Sequence, residues 1–306
     1  MNQFDFSIII PTYDRNEHLK LCLTAISNLD YDHNGFEVIV VNDGDSNPPQ
    51  EVVASFKYQF DIKLLTQPHS GPAIARNKGG LQARGEYLAF TDDDCEPSPD
   101  WLTKLAARFA VRADRCIGGQ TMNSQTHSLH SLASQALLQY LFSYYNAEPD
   151  QARFLTSNNL ALPRKYFLEI GGFNPNFSLA AAEDRELCDR CLHLGYALSF
   201  APEVLVYHNQ DLTLHSFLKQ HFNYGRGAHC FHKERARRTG TKLKLESPTF
   251  YLNLLCYPLS LKRSIRDLMI VTLLVLSQLS NAAGFLGQIV LENKSEKVNK
   301  SDYRCK

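Results

Sequence analysis

The stretch Phe90-Thr91-Asp92-Asp93-Asp94-Cys95 decides how this chain is read. Three adjacent carboxylates follow a strand-like run, Glu86-Tyr87-Leu88-Ala89-Phe90, and precede Glu96-Pro97 and a predicted helix. Like charges held this close repel, so a fold that gathers them at a strand end needs a compensating cation. A hard divalent ion, Mg²⁺ or Mn²⁺, suits such ligands and completes its shell with water and substrate phosphate oxygens. A solvated acidic turn is the plainer alternative. The hydrophobic strand that delivers the triplet favours a site, because ligands of α/β sheets bind at the carboxyl ends of strands. The stretch predicts a metal-diphosphate site on such a sheet.

Upstream, the pattern supports that sheet. Phe6-Ser7-Ile8-Ile9-Ile10 and Phe36 to Val41 are short continuous apolar runs of the kind buried in parallel sheets, and Ile62-Lys63-Leu64-Leu65 is a third strand. Between them, Asn16 to Leu29 sets Leu19, Cys22, Leu23, Ile26 and Leu29 at helical spacing, and Gly71 to Gly85 reads as a second helix. This β-α-β-α-β alternation predicts an α/β fold. It brings Tyr13-Asp14 and Asn42-Asp43 to the same edge as the triplet. A Tyr ring can stack on a base, and an Asp can accept from a base or ribose. Taken singly, Tyr13 is a turn aromatic and Asp43 an Asx-turn residue before Gly44.

Downstream, Asp100 to Phe109 fits an amphipathic helix, Ile117 to Gln120 a strand and His127 to Tyr145 a long helix. Ser157-Asn158-Asn159 is either a structural turn or an acceptor-binding loop. Gly171-Gly172-Phe173-Asn174 makes a turn, and Glu183-Asp184 opens a helix closed by Gly195. Acidic residues are favoured in a first helical turn by the helix dipole. The other reading makes one of the pair a general base for a sugar hydroxyl.

Composition is that of a globular protein: 306 residues, 44% hydrophobic, 21% charged and formally neutral. The charges are uneven, with eight Lys/Arg against Glu234 alone between Lys219 and Lys244. Such a block suits anionic lipid or phosphate, and no aromatic-interleaved motif accompanies it to suggest nucleic acid. The eight cysteines are scattered, and the one close pair, Cys188 and Cys191, has no second pair to complete a zinc site. Met1 to Asp5 carries neither a basic flank nor a long apolar region, so no signal peptide and a cytoplasmic, reducing setting are expected.

Together these stretches resemble family 2 of the inverting glycosyltransferases, which have a GT-A fold. The resemblance rests on Ile8 to Arg15, Val40 to Gly44, Gly71 to Gly79, Phe90 to Asp94, Ser157 to Asn159 with Gly171-Gly172-Phe173, and Glu183-Asp184 with Arg190 and Gly195. Each motif is weak alone, but their order over residues 5 to 210 is specific. It implies a mostly parallel sheet with helices on both faces, a nucleotide-sugar donor of UDP- or GDP-sugar type and Mn²⁺ or Mg²⁺. Pro11, Tyr13 and Asp43 would hold the nucleotide, with Arg76 near its phosphates. Asp92 and Asp93 would lie near the ribose, and Asp94, Asp92 and His208 near the metal. Asp184 would be the catalytic base, Glu183 would help orient the acceptor, and Asn158 and Asn159 would lie on the acceptor side. The family's nucleotide strand usually ends Asp-Asp-Gly-Ser, whereas this one ends Asn42-Asp43-Gly44-Asp45.

The expected domains are a catalytic one over 1–212, a basic, aromatic and then hydrophobic helical region over 213–291, and a polar, disordered tail over 292–306. Leu268 to Leu291 has 24 residues without a charge, enough to span a bilayer, and a shorter apolar run, Phe250 to Leu261, precedes it across Lys262, Arg263 and Arg266. Basic residues on both flanks leave its orientation open. A monotopic or hairpin-like attachment on the cytoplasmic face is expected, ahead of a spanning or soluble packing helix. The implied activity is inverting transfer to a glycan or lipid-linked acceptor in cell-surface polysaccharide or glycolipid synthesis. A catalytically silent nucleotide-sugar-binding subunit of a glycan assembly complex is the alternative, which intact Asp94 and Asp184 disfavour. A nucleotidyltransferase is expected to carry a Gly- and Arg/Lys-rich loop after its first strand, where this chain has Pro11-Thr12-Tyr13-Asp14.

Overall fold

A computed structural model describes residues 4–124, 127–241, 246–261 and 264–302. Of the stretches discussed above, residues 1–3, 242–245, Lys262, Arg263 and 303–306 lie outside the described residues. The chain divides into two compact units, one of residues 1–125 and 141–210, the other of 126–140 and 211–306.

In the first unit, β1 (Phe4–Thr12), α1 (Asn16–Ser27), β2 (Phe36–Asn42), α2 (Gln50–Ala54), β3 (Asp61–Thr66), α3 (Pro72–Gln82) and β4 (Gly85–Phe90) form the alternation that the sequence predicts. Neighbouring strands here are parallel, Ile8 pairing with both Val38 and Ala89. Ile8, Ile9, Ile10 and Val38 to Val41 have no exposed surface, which is why these strands read as unbroken apolar runs. Each such side chain contributes roughly 1.5–3 kcal/mol by leaving water.

The second half of the unit holds β5 (Cys95–Pro97), α4 (Trp101–Val111), β6 (Arg115–Asn123), the end of α5 (Leu129–Tyr145), β7 (Leu160–Pro163), α6 (Arg164–Ile170), α7 (Glu183–His193) and β8 (Ala197–His208). The eight strands described are ordered β3-β2-β1-β4-β7-β6-β8-β5. β7 is antiparallel to β4 and β6, β5 is antiparallel to β8, and β6 and β8 are parallel. β5, β7 and β8 are strands that the sequence pattern does not predict. β5 and β7 are short, and Pro202-Glu203 breaks the pattern of β8 where its pairing with β6 shifts between Gly119 and Gln120. Strand order reverses at β1, with β2 and β3 on one side and β4 on the other. The crevice expected at such a switch point lies beyond the ends of β1 and β4.

The second unit is helical: the start of α5, α8 (Leu214–Thr239), α9 (Pro248–Leu261) and α10 (Ile265–Asp302). Thr213 and Ser216 cap α8 reciprocally, and the Tyr140 hydroxyl donates to the Phe250 carbonyl at 2.8 Å. α10 is long and apolar enough to cross a membrane. The helix runs through Asp302, well into the stretch that reads from sequence as a disordered tail.

Candidate functional site

The acidic triplet sits at the switch point and is held there by four side chains. Thr12, at the end of β1, donates its hydroxyl to Asp93 at 2.8 Å. Arg15 Nη1 donates to Asp94 at 2.8 Å and lies 3.3 Å from Asp93. Arg76 Nη2, from α3, donates to Asp92 at 2.6 Å. His208 arrives through the sheet: Cys95 of β5 pairs with His208 of β8, setting its Nε2 3.2 Å from Asp94 Oδ1. Arg15, Arg76 and His208 thus supply much of the compensating charge that the sequence argument assigned to an ion.

Burial, then the Asp94 charge, push the Asp93 carboxyl up to about 7. For Asp94 burial acts upward as well, but His208 and Arg15 outweigh it and hold the group well below the usual carboxylate range. His208 is correspondingly raised, Asp94 overriding burial. The ligand atoms of Asp94, Cys95 and His208 lie within 4.8 Å of one another. Burial keeps the Cys95 thiol far above its ordinary pKa, so the available donors are a carboxylate oxygen and an imidazole nitrogen. That donor set fits Mn²⁺ or Mg²⁺ better than a thiolate-seeking metal. Asp92, also predicted as a metal ligand, accepts through Oδ1 from Arg76.

The edge of the crevice beyond β2 and β3 is built on Asp43. Its buried carboxylate accepts from Gln67 Nε2 at 2.7 Å and from the backbone N–H groups of Ser70 at 2.9 Å and Gly71 at 2.8 Å. His69 Nδ1 stands 3.0 Å from the same carboxylate. Asp43 therefore shapes the loop after β3, and Gly71 turns it with φ +93°, where a Cβ would meet the Ser178 backbone. Tyr13 is 44% exposed and packs its ring on His69 at 4.2 Å. Pro11 is buried within β1 opposite Val41, one residue short of the edge. Asn42 folds its carbonyl over the turn, accepting from Gly44 and Asp45 N–H at 2.9 and 2.8 Å. Arg15, Gln67 and His69 are site residues that the sequence pattern does not single out. A polar cluster directly after the third strand was the signal available for the last two.

The opposite wall starts at Ala182, whose φ of +67° is left-handed. Asp14 at φ +51° is the other such non-glycine residue among those described, and both border the site. Strained backbone of this kind costs on the order of 1–3 kcal/mol and persists where the surroundings enforce it. Glu183 opens α7 and reaches Arg76 Nη1 at 3.0 Å. Burial and the Asp184 charge push Glu183 up to about 7, against the pull of Arg76. Asp184 is partly exposed, its Oδ1 accepts from the Arg185 N–H at 2.7 Å, and burial raises its pKa too. Arg190 braces this wall by donating to Glu186 and to the carbonyls of Ile170 and Gly172, while Asn77 exchanges two hydrogen bonds of 2.7 Å with the Phe173 backbone.

Ser157 to Asn159 form a single 3₁₀ turn. Asn159 is buried: Trp101 Nε1 donates to its Oδ1 at 2.9 Å, and its Nδ2 donates to the Gln120 and Val204 carbonyls at 3.0 Å each. Its amide is thus tied into the wall between α4, β6 and β8, with 1% of the residue exposed. Asn158 is partly exposed and accepts from the Thr121 hydroxyl at 3.0 Å.

A parallel half-sheet, a mixed second half and an acidic turn at their switch point define a GT-A fold, the architecture of nucleotide-sugar transferases. Solved structures agree. Residues 1–349 of Staphylococcus aureus TarS match with a TM-score of 0.57 at 17% identity, over 96% of this chain and 92% of that one. The mannosyltransferase PcManGT of Pyrobaculum calidifontis, solved with GDP-Man and Mn²⁺, matches with a TM-score of 0.61 at 16% identity, over 96% and 80%. Residues 7–171 match the model of glycosyl transferase family 2, and the chain belongs to that family. It is 27% identical over 223 residues to the glycosyltransferase AglE of Haloferax volcanii, covering 72% of each chain. It is also 27% identical over 238 residues to the pre-mycofactocin glycosyltransferase of Mycobacterium tuberculosis, covering 73% of this chain but 47% of that relative.

Proposed function

We propose that this glycosyltransferase moves a sugar from a UDP- or GDP-sugar to the hydroxyl of a glycan or lipid-linked acceptor, with inversion. One observation carries the reading: Arg76 joins Asp92 of the acidic triplet to Glu183, beside Asp184. The diphosphate end of the crevice and the candidate base are thereby tied to one guanidinium. Neighbouring folds lend support to the donor class, TarS having been solved with UDP-GlcNAc and PcManGT with GDP-Man.

In this reading Tyr13 and His69 flank the base, and the loop organised by Asp43 walls the nucleoside. Asp94 and His208 would hold Mn²⁺ or Mg²⁺, which as a Lewis acid neutralises charge on the departing diphosphate. Asp184 takes the proton of the acceptor hydroxyl as that oxygen attacks the anomeric carbon. A carboxylate whose pKa is raised is a better base than an ordinary one, provided it remains ionised. Glu183 and Arg76 orient Asp184 and keep its surroundings electrostatically balanced. Attack opposite the leaving diphosphate gives inversion in one displacement. We place the reaction at the cytoplasmic face of a membrane, in cell-surface polysaccharide or glycolipid synthesis.

The test is a thermal-shift panel of nucleoside diphosphates and nucleotide-sugars with and without Mn²⁺, followed by an assay of nucleoside diphosphate release with acceptor. A ligand that binds the native state raises its stability by mass action. One nucleotide giving a metal-dependent shift and turnover is the expected result. A shift without turnover for any acceptor supports a silent binding subunit instead.

A further inference from the structure

The helical unit carries a surface that sugar transfer does not use. α8 and α10 run parallel and are fastened along their length. Ser280 Oγ donates to the Leu218 carbonyl at 2.7 Å, Arg226 Nε to Gln288 at 2.9 Å and Lys233 Nζ to Glu292 at 2.7 Å. Gly225 lies against the Asn281 backbone and Gly284 against the Phe222 backbone, so a side chain at either position would force the helices apart. Small residues of this kind let two helices approach closely.

This packing bears on whether α10 crosses a membrane. The half of α10 from Ser280 to Glu292 is tied to α8, which carries Lys219, Arg226, Lys233, Arg235, Arg237 and Arg238 against one acid, Glu234. Threading α10 through a bilayer would carry Lys219, next to Leu218 at the level of Ser280, and Arg226, at the level of Gln288, into the membrane with it, where charge is expensive. The same layout suits a helix lying in the interface, with its apolar face at the acyl boundary and cations among the headgroups. α10 offers that face. Leu268, Val275, Leu279, Leu286 and Val290 are 59%, 40%, 62%, 63% and 52% exposed, at spacings of seven and four that keep them on one side. No charged residue interrupts the helix from Leu268 to Leu291.

We propose that α8 and α10 form an in-plane lipid platform, in which the Leu268 to Val290 stripe enters the acyl boundary and the basic end of α8 binds anionic headgroups, without α10 crossing the bilayer. This deepens the membrane-side reading above and rests on it. A second copy of the chain would cover the stripe but supply nothing for the net positive charge of α8, whereas an anionic lipid surface answers both.

The full chain is tested by flotation with vesicles of phosphatidylcholine alone and of phosphatidylcholine mixed with phosphatidylglycerol. Binding about tenfold tighter to the mixed vesicles, and weakened by salt, is expected. Arg235→Glu with Arg237→Glu should return binding to the level of phosphatidylcholine. Leu279→Glu with Leu286→Glu, at exposed positions, should abolish binding to both while leaving the melting midpoint unchanged. In cell membranes bearing the chain with tags at both ends, protease added from the cytoplasmic side should remove both tags; protection of the C-terminal tag alone overturns the proposal. Absent vesicle binding also overturns it, most specifically if sedimentation shows a dimer that Leu279→Glu with Leu286→Glu dissociates. Nucleotide-dependent stabilisation and transfer, measured on the same samples, separate the two readings. If they persist without lipid binding, only the platform falls; if lipid binding persists without them, only the transfer function falls.

Discussion

Arg76 and Glu183, 107 residues apart in sequence, meet at 3.0 Å with side chains only 3% and 5% exposed. The guanidinium comes from α3 and the carboxylate from the first turn of α7, so the contact ties the parallel half of the sheet to the wall bearing the proposed base. Asp92 takes the other terminal nitrogen of the guanidinium, Nη2.

A buried charge left without its partner costs far more than the pair contributes, typically about 3–5 kcal/mol. Arg76→Gln should therefore lower stability by that order in urea unfolding, because Glu183 and Asp92 both lose their cation. Arg76→Met combined with Glu183→Leu should recover much of the loss, while sugar transfer stays abolished. Recovery of both stability and transfer in the double variant would show that the bridge has no part in the reaction.

Asp184→Asn removes the proton acceptor but keeps the shape and the contact to Arg185. Turnover should fall by about 10²–10⁴-fold, the usual contribution of a general base. Nucleotide-dependent thermal stabilisation should be unchanged. Full transfer by this variant would move the base elsewhere, with Glu183 next to be tried.

Arg15 and a metal ion would compete for Asp94, because Arg15 Nη1 already donates to its Oδ2 at 2.8 Å. Arg15→Ala is expected to tighten Mn²⁺ binding by several-fold, read by electron paramagnetic resonance of free Mn²⁺. Asp94→Ala should weaken binding by well over tenfold, and His208→Ala by less. If Mn²⁺ affinity is the same in all three variants, the ion binds somewhere else.

The parallel half of the sheet was legible because its strands are buried on both faces and so declare themselves as apolar runs. The acidic triplet was legible because three adjacent charges have few reasons to follow such a strand. Arg15 was not, since a half-exposed Arg at a helix start reads as ordinary surface until its partners, 78 and 79 residues away, are known. The structural anchoring of Asn159 was hidden for the same reason. Its three partners come from α4, β6 and β8, and a strand broken by a bulge gives the sequence no period to follow. Long-range hydrogen bonding decides between a ligand-binding amide and a structural one, and local pattern does not encode it.

His221 gives the helical unit a pH dependence of its own. The side chain is 1% exposed between Phe217 and Tyr224, its Nε2 has no hydrogen-bond partner, and burial lowers its pKa to about 4. The unfolded chain holds the same ring near 6.5, so between those values the unfolded state binds more protons than the folded one. Stability from this group is complete above pH 6.5 and falls as pH drops toward 4. At pH 5 the loss is about 2 kcal/mol, from roughly 1.5 pH units below the unfolded value at 1.36 kcal/mol each. Melting of the wild type at pH 7 and pH 5 should show that drop. His221→Phe, which fills the same space without a titrating nitrogen, should reduce it by the same amount. An equal drop in the variant would assign the acid sensitivity to other groups.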